Sequence, residues 1–149
     1  MYGSQIWGQV NNSNVKRVIR QQNKAIRTIS FVNYDTPTEV LYKSLKILKF
    51  SENVKTLNLL FIYNSFNNHL PLVLKNVFHF DCRVNKYNMR QSDCILSLPK
   101  VFTSTYGLES IEYKSIALWN RLATKFNDVN LNIIKNNEFK KVINIFLHI

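Results

Sequence analysis

The chain has 149 residues, of which 46% are hydrophobic and 13% aromatic, and its 20 Lys and Arg residues against 9 Asp and Glu give a formal net charge of +11. This length and hydrophobic content are sufficient for one domain with a core, and they exclude a disordered tail. The charge predicts attraction to a polyanion. Nucleic acid is favoured over an anionic membrane or an acidic protein because the cations cluster on one helix face.

The sequence predicts an intracellular protein, nuclear or cytoplasmic. Cys82 and Cys94 are the only cysteines, which excludes a disulfide scaffold. No signal-peptide pattern follows Met1. The longest apolar stretches, "LNLLFIY" and "INIFLHI", are too short to span a bilayer, and we expect no membrane among the partners of the chain.

The clearest predicted helix covers residues 14–31. Its apolar residues recur at helical spacing on one side. On the other side five cations fall within an arc of about 100°, and no acidic residue interrupts them. These cations, called the basic stripe below, are Lys16, Arg17, Arg20, Lys24 and Arg27. The stripe is compatible with a solvated surface or with phosphate contacts. Binding to lipid is disfavoured, because the apolar side of the helix has no Trp, Phe or Leu before Phe31.

Three further helices are predicted before residue 79. In "YDTPTEVLYKSLKIL", Thr36, Pro37 and Glu39 have the order of a capped helix start. Ser51 predicts the cap of the next helix, and Pro71 predicts the start of a short one. The side chains expected on the packing faces of the two longer helices are Val40, Leu41, Leu45, Leu48, Val54, Leu57, Leu60, Phe61 and Asn64.

The chain then changes character. Residues 79–110 have no helical period and are punctuated by Pro99 and Gly107, so we expect an irregular insert with short extended pieces. Helical spacing returns in "YKSIALWNRLATKF" and in "NNEFKKVINIFLHI". The prediction is a mainly α fold with a helical segment over residues 1–78, an irregular connector over 79–110 and a C-terminal helical segment over 111–149.

No pattern of catalytic residues is present. The acidic residues include no close pair of the kind that holds two metal ions, and there is neither a phosphate-binding glycine loop nor a nucleophile elbow. We therefore expect no enzymatic activity and no cofactor. His79, Cys82 and Cys94 supply at most one of the two tight ligand pairs of a zinc module, so burial of both thiols is favoured over a metal site.

A second group of cations lies in "CRVNKYNMR". Arg83, Lys86 and Arg90 surround Tyr87 in a stretch expected to be a loop. Tyr87 either stacks on a base while its neighbours contact phosphates, or anchors the loop on the core. These four residues join the basic stripe as candidate nucleic-acid contacts.

Six stretches in order carry a family resemblance: "YGSQIWG", "IRQQNKAIRTI", "LPLVLKNVF", "NKYNMR", "SIEYKSIALWNRLATKFND" and "FKKVINIFL". Together they span nearly the whole chain, and their order resembles the region after the polymerase palm in jockey-type non-LTR retrotransposon reverse transcriptases. The pattern departs at Asn85, Met89 and Ala123, where the family has His, Thr and Pro. The matching residues are Tyr2, Gly3, Trp7, Gln22, Asn23, Lys24, Arg27, Leu70, Pro71, Tyr87, Arg90, Leu118, Trp119, Asn120, Leu122, Phe139 and Lys140.

The resemblance implies that the helical bundle-like segment over residues 1–78 is a thumb, which grips template or primer beside the palm domain. The family's paired aspartates and endonuclease have no counterpart here. The expected function is therefore that of a truncated, non-catalytic part of an RNA-directed DNA polymerase that binds RNA or DNA phosphates without sequence specificity. In that interpretation Tyr2, Ile6 and Trp7 pack on the missing palm domain. The alternatives are a helical protein-interaction module that docks through this apolar patch, and a decayed fragment without a present function.

Overall fold

The computed structural model describes residues 3–8, 13–74, 96–103, 107–126 and 134–148. Within these ranges the chain is mainly helical, as predicted, and contains no strand. The elements are α1 (Ser4–Trp7), α2 (Ser13–Ile29), α3 (Thr38–Ser44), α4 (Phe50–Phe66), a 3₁₀ helix (Leu72–Leu74), α5 (Ile111–Lys125) and α6 (Asn136–His148). None of these helices is long and apolar enough to cross a bilayer. The chain forms two compact units, Met1–Val54 and Lys55–Ile149.

In the first unit, α2 and α3 pack through a small cluster of Ile26, Leu41 and Tyr42. Of the apolar side of α2, Ile26 is the only fully buried residue, while Ala25 and Ile29 are exposed. The cluster is therefore smaller than the helical periodicity predicts. A hydrogen bond between the side chains of Asn23 on α2 and Tyr42 on α3 adds to this contact.

The predicted capping box at the start of α3 is wrong. The residue that precedes the helix is Pro37, and no side chain caps the helix there. Thr36 lies one residue too early, in a turn where its N–H donates to the carbonyl of Asn33 at 3.1 Å. Glu39 points elsewhere and pairs with Lys49.

Helices α2, α3 and α4 end in the same way, although none of them has a glycine at its end. Phe31, Lys46 and Asn68 each have a left-handed φ, at 51°, 52° and 56°. The N–H of the following residue reaches back past the helix end, as in the 3.3 Å bond from Val32 to the carbonyl of Arg27. This is the Schellman motif, which glycine usually serves. Because of it, α2 ends two residues earlier than predicted.

Helix α4 begins one residue before the predicted cap at Ser51. The Glu52 carboxylate accepts a hydrogen bond from the backbone N–H of Lys49 at 3.0 Å, and the Gln22 side chain accepts one from the N–H of Phe50 at 2.9 Å. Helix starts leave several N–H groups without intrahelical partners, and these two side chains satisfy two of them. A side chain from α2 therefore does part of the work that the sequence assigns to Ser51.

The core of the second unit is formed by α4, α5, α6 and Leu96. Its fully buried members include Trp119, which contacts Phe66 and Phe139 with ring centroids 5.2 and 5.8 Å away. The predicted helical spacing on α6 is confirmed, because Phe139 and Ile143 are buried and Val142 and Phe146 pack against the same cluster. On α4, Val54 is buried as predicted, but farther along the helix the fully buried apolar residues are Leu59, Ile62 and Tyr63 and not the predicted Leu57, Leu60 and Phe61. The buried cluster is Leu59, Ile62, Tyr63, Leu96, Ile116, Trp119, Leu122, Ala123, Phe139 and Ile143.

In the described part of the connector, the side chain of Asn120 binds the backbone of Leu96. Leu96 is 3% exposed, and Asn120 binds both of its backbone groups. The Leu96 N–H donates to Asn120 Oδ1, and Asn120 Nδ2 donates to the Leu96 carbonyl, both at 2.9 Å. The Asn120 amide thus satisfies one donor and one acceptor of the Leu96 backbone. Residues 75–95 and 104–106 lie outside the described ranges, and the predicted boundaries at 78 and 110 stay predictions.

Candidate nucleic-acid interface

The structure places the basic stripe on one face of α2. Lys16, Arg17, Arg20 and Lys24 are exposed, and Arg27 is half-buried. Helical geometry sets the five side chains within an arc of about 100°, opposite the side that bears Ile26. The cations are therefore gathered on one surface, as the sequence predicts.

No carboxylate in the described part of the chain neutralises the four exposed cations of the stripe. The ion pairs found there join Lys49 to Glu39 and Lys114 to Glu109. The first turn of α2 contains no acidic residue, so the positive end of the helix dipole adds to the charge of Lys16. The result is a positive ridge along one solvent-facing side of the first unit.

Arg27 differs from the other members of the stripe. Its Nε donates to the carbonyl of Thr36 at 3.2 Å, and its guanidinium lies 5.0 Å from the ring centroid of Tyr34. Both contacts hold the turn between α2 and α3. Arg27 is therefore a structural residue that also borders the stripe, and the four exposed cations are better placed for phosphates.

Two amide side chains orient α2. Gln22 Nε2 donates to the carbonyl of Leu48 at 3.0 Å, while its Oε1 accepts from Phe50. Asn23 Oδ1 accepts a 2.8 Å hydrogen bond from the hydroxyl of Tyr42. Gln22 lies on the side of α2 opposite the stripe and Asn23 lies at the edge of the stripe, so their bonds fix the rotation of the helix and leave its four exposed cations outward.

An ion pair borders the same hydrogen bonds. Lys49 Nζ lies 2.7 Å from Glu39 Oε1, and this hydrogen bond lowers the pKa of Glu39 and raises the pKa of Lys49. These groups and Tyr42 line an open depression beside α2. Within it Glu39 and Lys49 bond each other, and the Tyr42 hydroxyl bonds Asn23.

Replacing Tyr42 with phenylalanine is expected to destabilise the first unit by about 0.5–1.5 kcal/mol, because Asn23 Oδ1 loses its donor. Burial raises the pKa of the Tyr42 phenol above its ordinary value of 10.0. The protonated Tyr42 phenol therefore contributes its stabilisation below pH 10, and this stabilisation is lost as the pH rises through the folded-state pKa of Tyr42. Melting temperatures of both proteins at pH 8 and at pH 11 measure this, and their difference should be smaller at pH 11.

The second group of cations, around Tyr87, lies outside the described residues. The thiols and the imidazole considered as possible metal ligands lie outside them as well. The structure therefore leaves both predictions untested. Within the described ranges no three metal-ligating side chains come together. The residues concerned are Arg83, Lys86, Tyr87 and Arg90 in the cluster, and His79, Cys82 and Cys94 in the possible metal site.

The sequence interpretation missed two exposed aromatic residues beside the stripe. Phe31 is 97% exposed and Tyr34 is 79% exposed, both in the turn between α2 and α3. Their positions in "SFVNYDTP" could have indicated this exposure. Both residues lie between Ser, Asn and Asp residues typical of turns, and neither belongs to a helical repeat of apolar residues.

Comparisons of the chain with protein-family models, curated proteins and solved structures find no match. The resemblance to retrotransposon reverse transcriptases therefore stays a prediction from the motifs.

Proposed function

We propose that this chain binds the sugar–phosphate backbone of nucleic acid without sequence specificity, as a non-catalytic part of a retroelement RNA-directed DNA polymerase. The observation that carries the binding proposal is the surface formed by Lys16, Arg17, Arg20 and Lys24. All four are exposed on one helix face, and no described carboxylate pairs with them. The retroelement origin is supported by the ordered motifs alone.

Phosphate contact suits this surface better than base recognition. Cations spaced along a helix at about 1.5 Å of rise per residue can follow a backbone, and backbone contacts carry no sequence information. Of the side chains that read base edges, the four exposed stripe residues include arginines but no amide. The amides of Gln22 and Asn23 are already bonded within the protein.

The salt dependence of binding tests the proposal. With four phosphate contacts, the logarithm of the association constant for a DNA duplex should fall against the logarithm of salt concentration with a slope of about −3 to −4. The triple variant Lys16→Glu, Arg20→Glu and Lys24→Glu should flatten that slope by about 2 to 3, which fluorescence anisotropy at several salt concentrations measures.

A matched control changes the same net charge elsewhere. Arg121, Lys140 and Lys141 are exposed on α5 and α6, and their replacement by glutamate should leave most of the slope in place. If the two triple variants lost equal amounts of the salt-dependence slope, the result would contradict the proposal, because binding would then depend on net charge and not on the stripe. Circular dichroism checks that both variants remain helical.

A second candidate function is protein docking through α1. Ile6 is 73% exposed and Trp7 is 41% exposed, although Trp7 also stacks on Phe50 at 5.3 Å. An exposed apolar pair of this kind is typical of a contact with another protein. This candidate predicts no salt-dependent duplex binding through α2, so the same titration separates the two functions.

A further inference from the structure

We infer that the turn between α2 and α3 stacks an unpaired nucleobase on Phe31 and Tyr34, so that this chain prefers single-stranded nucleic acid to duplex. The inference rests on the proposed function and deepens it by naming the substrate class. Its starting observation is the exposure of two aromatic rings at the end of the helix that carries the basic stripe.

Phe31 is exposed to solvent and has a strained backbone conformation. Its ring is 97% exposed and buries almost nothing in the fold. Its φ of 51° lies in the left-handed region, which strains a bulky side chain and which glycine or asparagine would occupy more easily. Neither packing nor backbone preference therefore accounts for an aromatic residue at this position.

Tyr34 adds a second ring with a cation against it. It is 79% exposed, and the Arg27 guanidinium lies 5.0 Å from its ring centroid. The hydrogen bond from Arg27 to Thr36 holds that guanidinium in place. Aromatic rings next to arginine are the usual stacking platforms for bases in single-stranded nucleic acid, because every base has a π face.

The charges around the turn favour a base there rather than a phosphate. The turn lies at the negative end of the α2 dipole and includes the exposed carboxylate Asp35. Of the exposed cations, Lys16, Arg17 and Arg20 lie in the N-terminal half of the helix, and Lys24 lies about two turns before Phe31. The structure thus places a phosphate-binding stretch before an aromatic turn in which Arg27 and Asp35 carry opposite charges.

The dimensions fit one short segment of a strand. Lys16 and Phe31 are fifteen residues apart, which corresponds to about 22 Å along a helix axis. At the axial rise of about 3.4 Å per nucleotide in a helically stacked strand, this length spans at most about six nucleotides, and a more extended strand spans fewer. A duplex offers the same phosphates but keeps its bases stacked and paired, so the turn gains nothing from it.

The experiment measures three probes of equal length: a single-stranded oligothymidylate, an abasic oligonucleotide and a duplex. For Phe31→Gly we expect the affinity for oligothymidylate to fall about 5- to 100-fold, with the other two affinities unchanged. Tyr34→Ala should act in the same direction. Phe102→Gly is the matched control, because Phe102 is 92% exposed in the other unit.

Stability provides an independent check on folding. The urea midpoint of Phe31→Gly should equal or exceed that of the parent chain, because glycine relieves the left-handed strain. Loss of binding therefore cannot be assigned to unfolding.

The possible failures are distinguishable. If the parent chain binds none of the three probes, the proposed function fails first. If salt-dependent binding persists but the parent chain does not distinguish oligothymidylate from the abasic probe, the stacking inference alone is overturned. The stacking inference is also overturned if Phe31→Gly lowers the affinity for all three probes equally.

Discussion

Trp119→Ala is expected to destabilise the second unit by about 3–5 kcal/mol. Trp119 is fully buried where α4, α5 and α6 meet, and its ring contacts Phe66 and Phe139. Its removal leaves a cavity between three helices that cannot all collapse into it. Since whole domains are stable by only about 5–15 kcal/mol, this loss is a large fraction of the total.

Urea unfolding followed by circular dichroism measures the effect, and amide hydrogen exchange in α5 and α6 locates it. Phe102→Ala is the matched control, because the side chain removed is also aromatic but is 92% exposed. That change should alter stability by less than about 0.5 kcal/mol. Similar midpoints for Trp119→Ala and Phe102→Ala would show that Trp119 is not at the centre of the core.

Asn120→Leu is expected to cost about 2–4 kcal/mol, because two backbone groups of Leu96 lose their partners. The leucine side chain has a similar size but can neither donate nor accept a hydrogen bond. The N–H and carbonyl of Leu96 lie in a residue only 3% exposed, where water cannot replace the lost bonds without local opening. The amide proton of Leu96 should then exchange much faster than in the parent chain, which two-dimensional NMR measures.

A second variant separates the donor from the acceptor. Asn120→Asp keeps an oxygen for the Leu96 N–H but sets a negative charge against the Leu96 carbonyl. Its stability should therefore recover as the pH falls toward about 4, where the introduced carboxyl becomes protonated and can donate. Asn137→Leu, at an exposed position on α6, controls for the chemical change itself. A Leu96 amide that stays protected in Asn120→Leu would contradict the assigned role.

Helical periodicity predicted the class of the fold and most of its helices, because the spacing of apolar residues survives without knowledge of tertiary contacts. Helix ends were predicted less well. The cap assigned to Ser51 is replaced by Gln22 from another helix, a long-range contact that no local pattern contains. The end of α2 was misplaced because Phe31 occupies a position where sequence patterns lead one to expect glycine.

The sequence located four exposed cations of the candidate site, since charge and helical spacing are both local properties. It did not separate Arg27 from them, because the bond to Thr36 depends on how the following turn folds. Several residues that carry the family resemblance also prove to have structural roles. Gln22 and Asn23 orient α2, and Asn120 holds the connector.

The helix ends at Phe31, Lys46 and Asn68 have a consequence at the level of the gene. Phe31 and Lys46 each hold a left-handed backbone without glycine at a cost on the order of 1 kcal/mol, whereas asparagine adopts this conformation more easily at Asn68. Phenylalanine, lysine and asparagine can all be encoded by adenine and thymine alone, whereas every glycine codon begins with GG. Reaching a glycine codon from any codon of these three amino acids therefore takes at least two nucleotide changes. A single point mutation cannot replace any of these residues with glycine, so the left-handed strain at Phe31 and Lys46 is not relieved in one step.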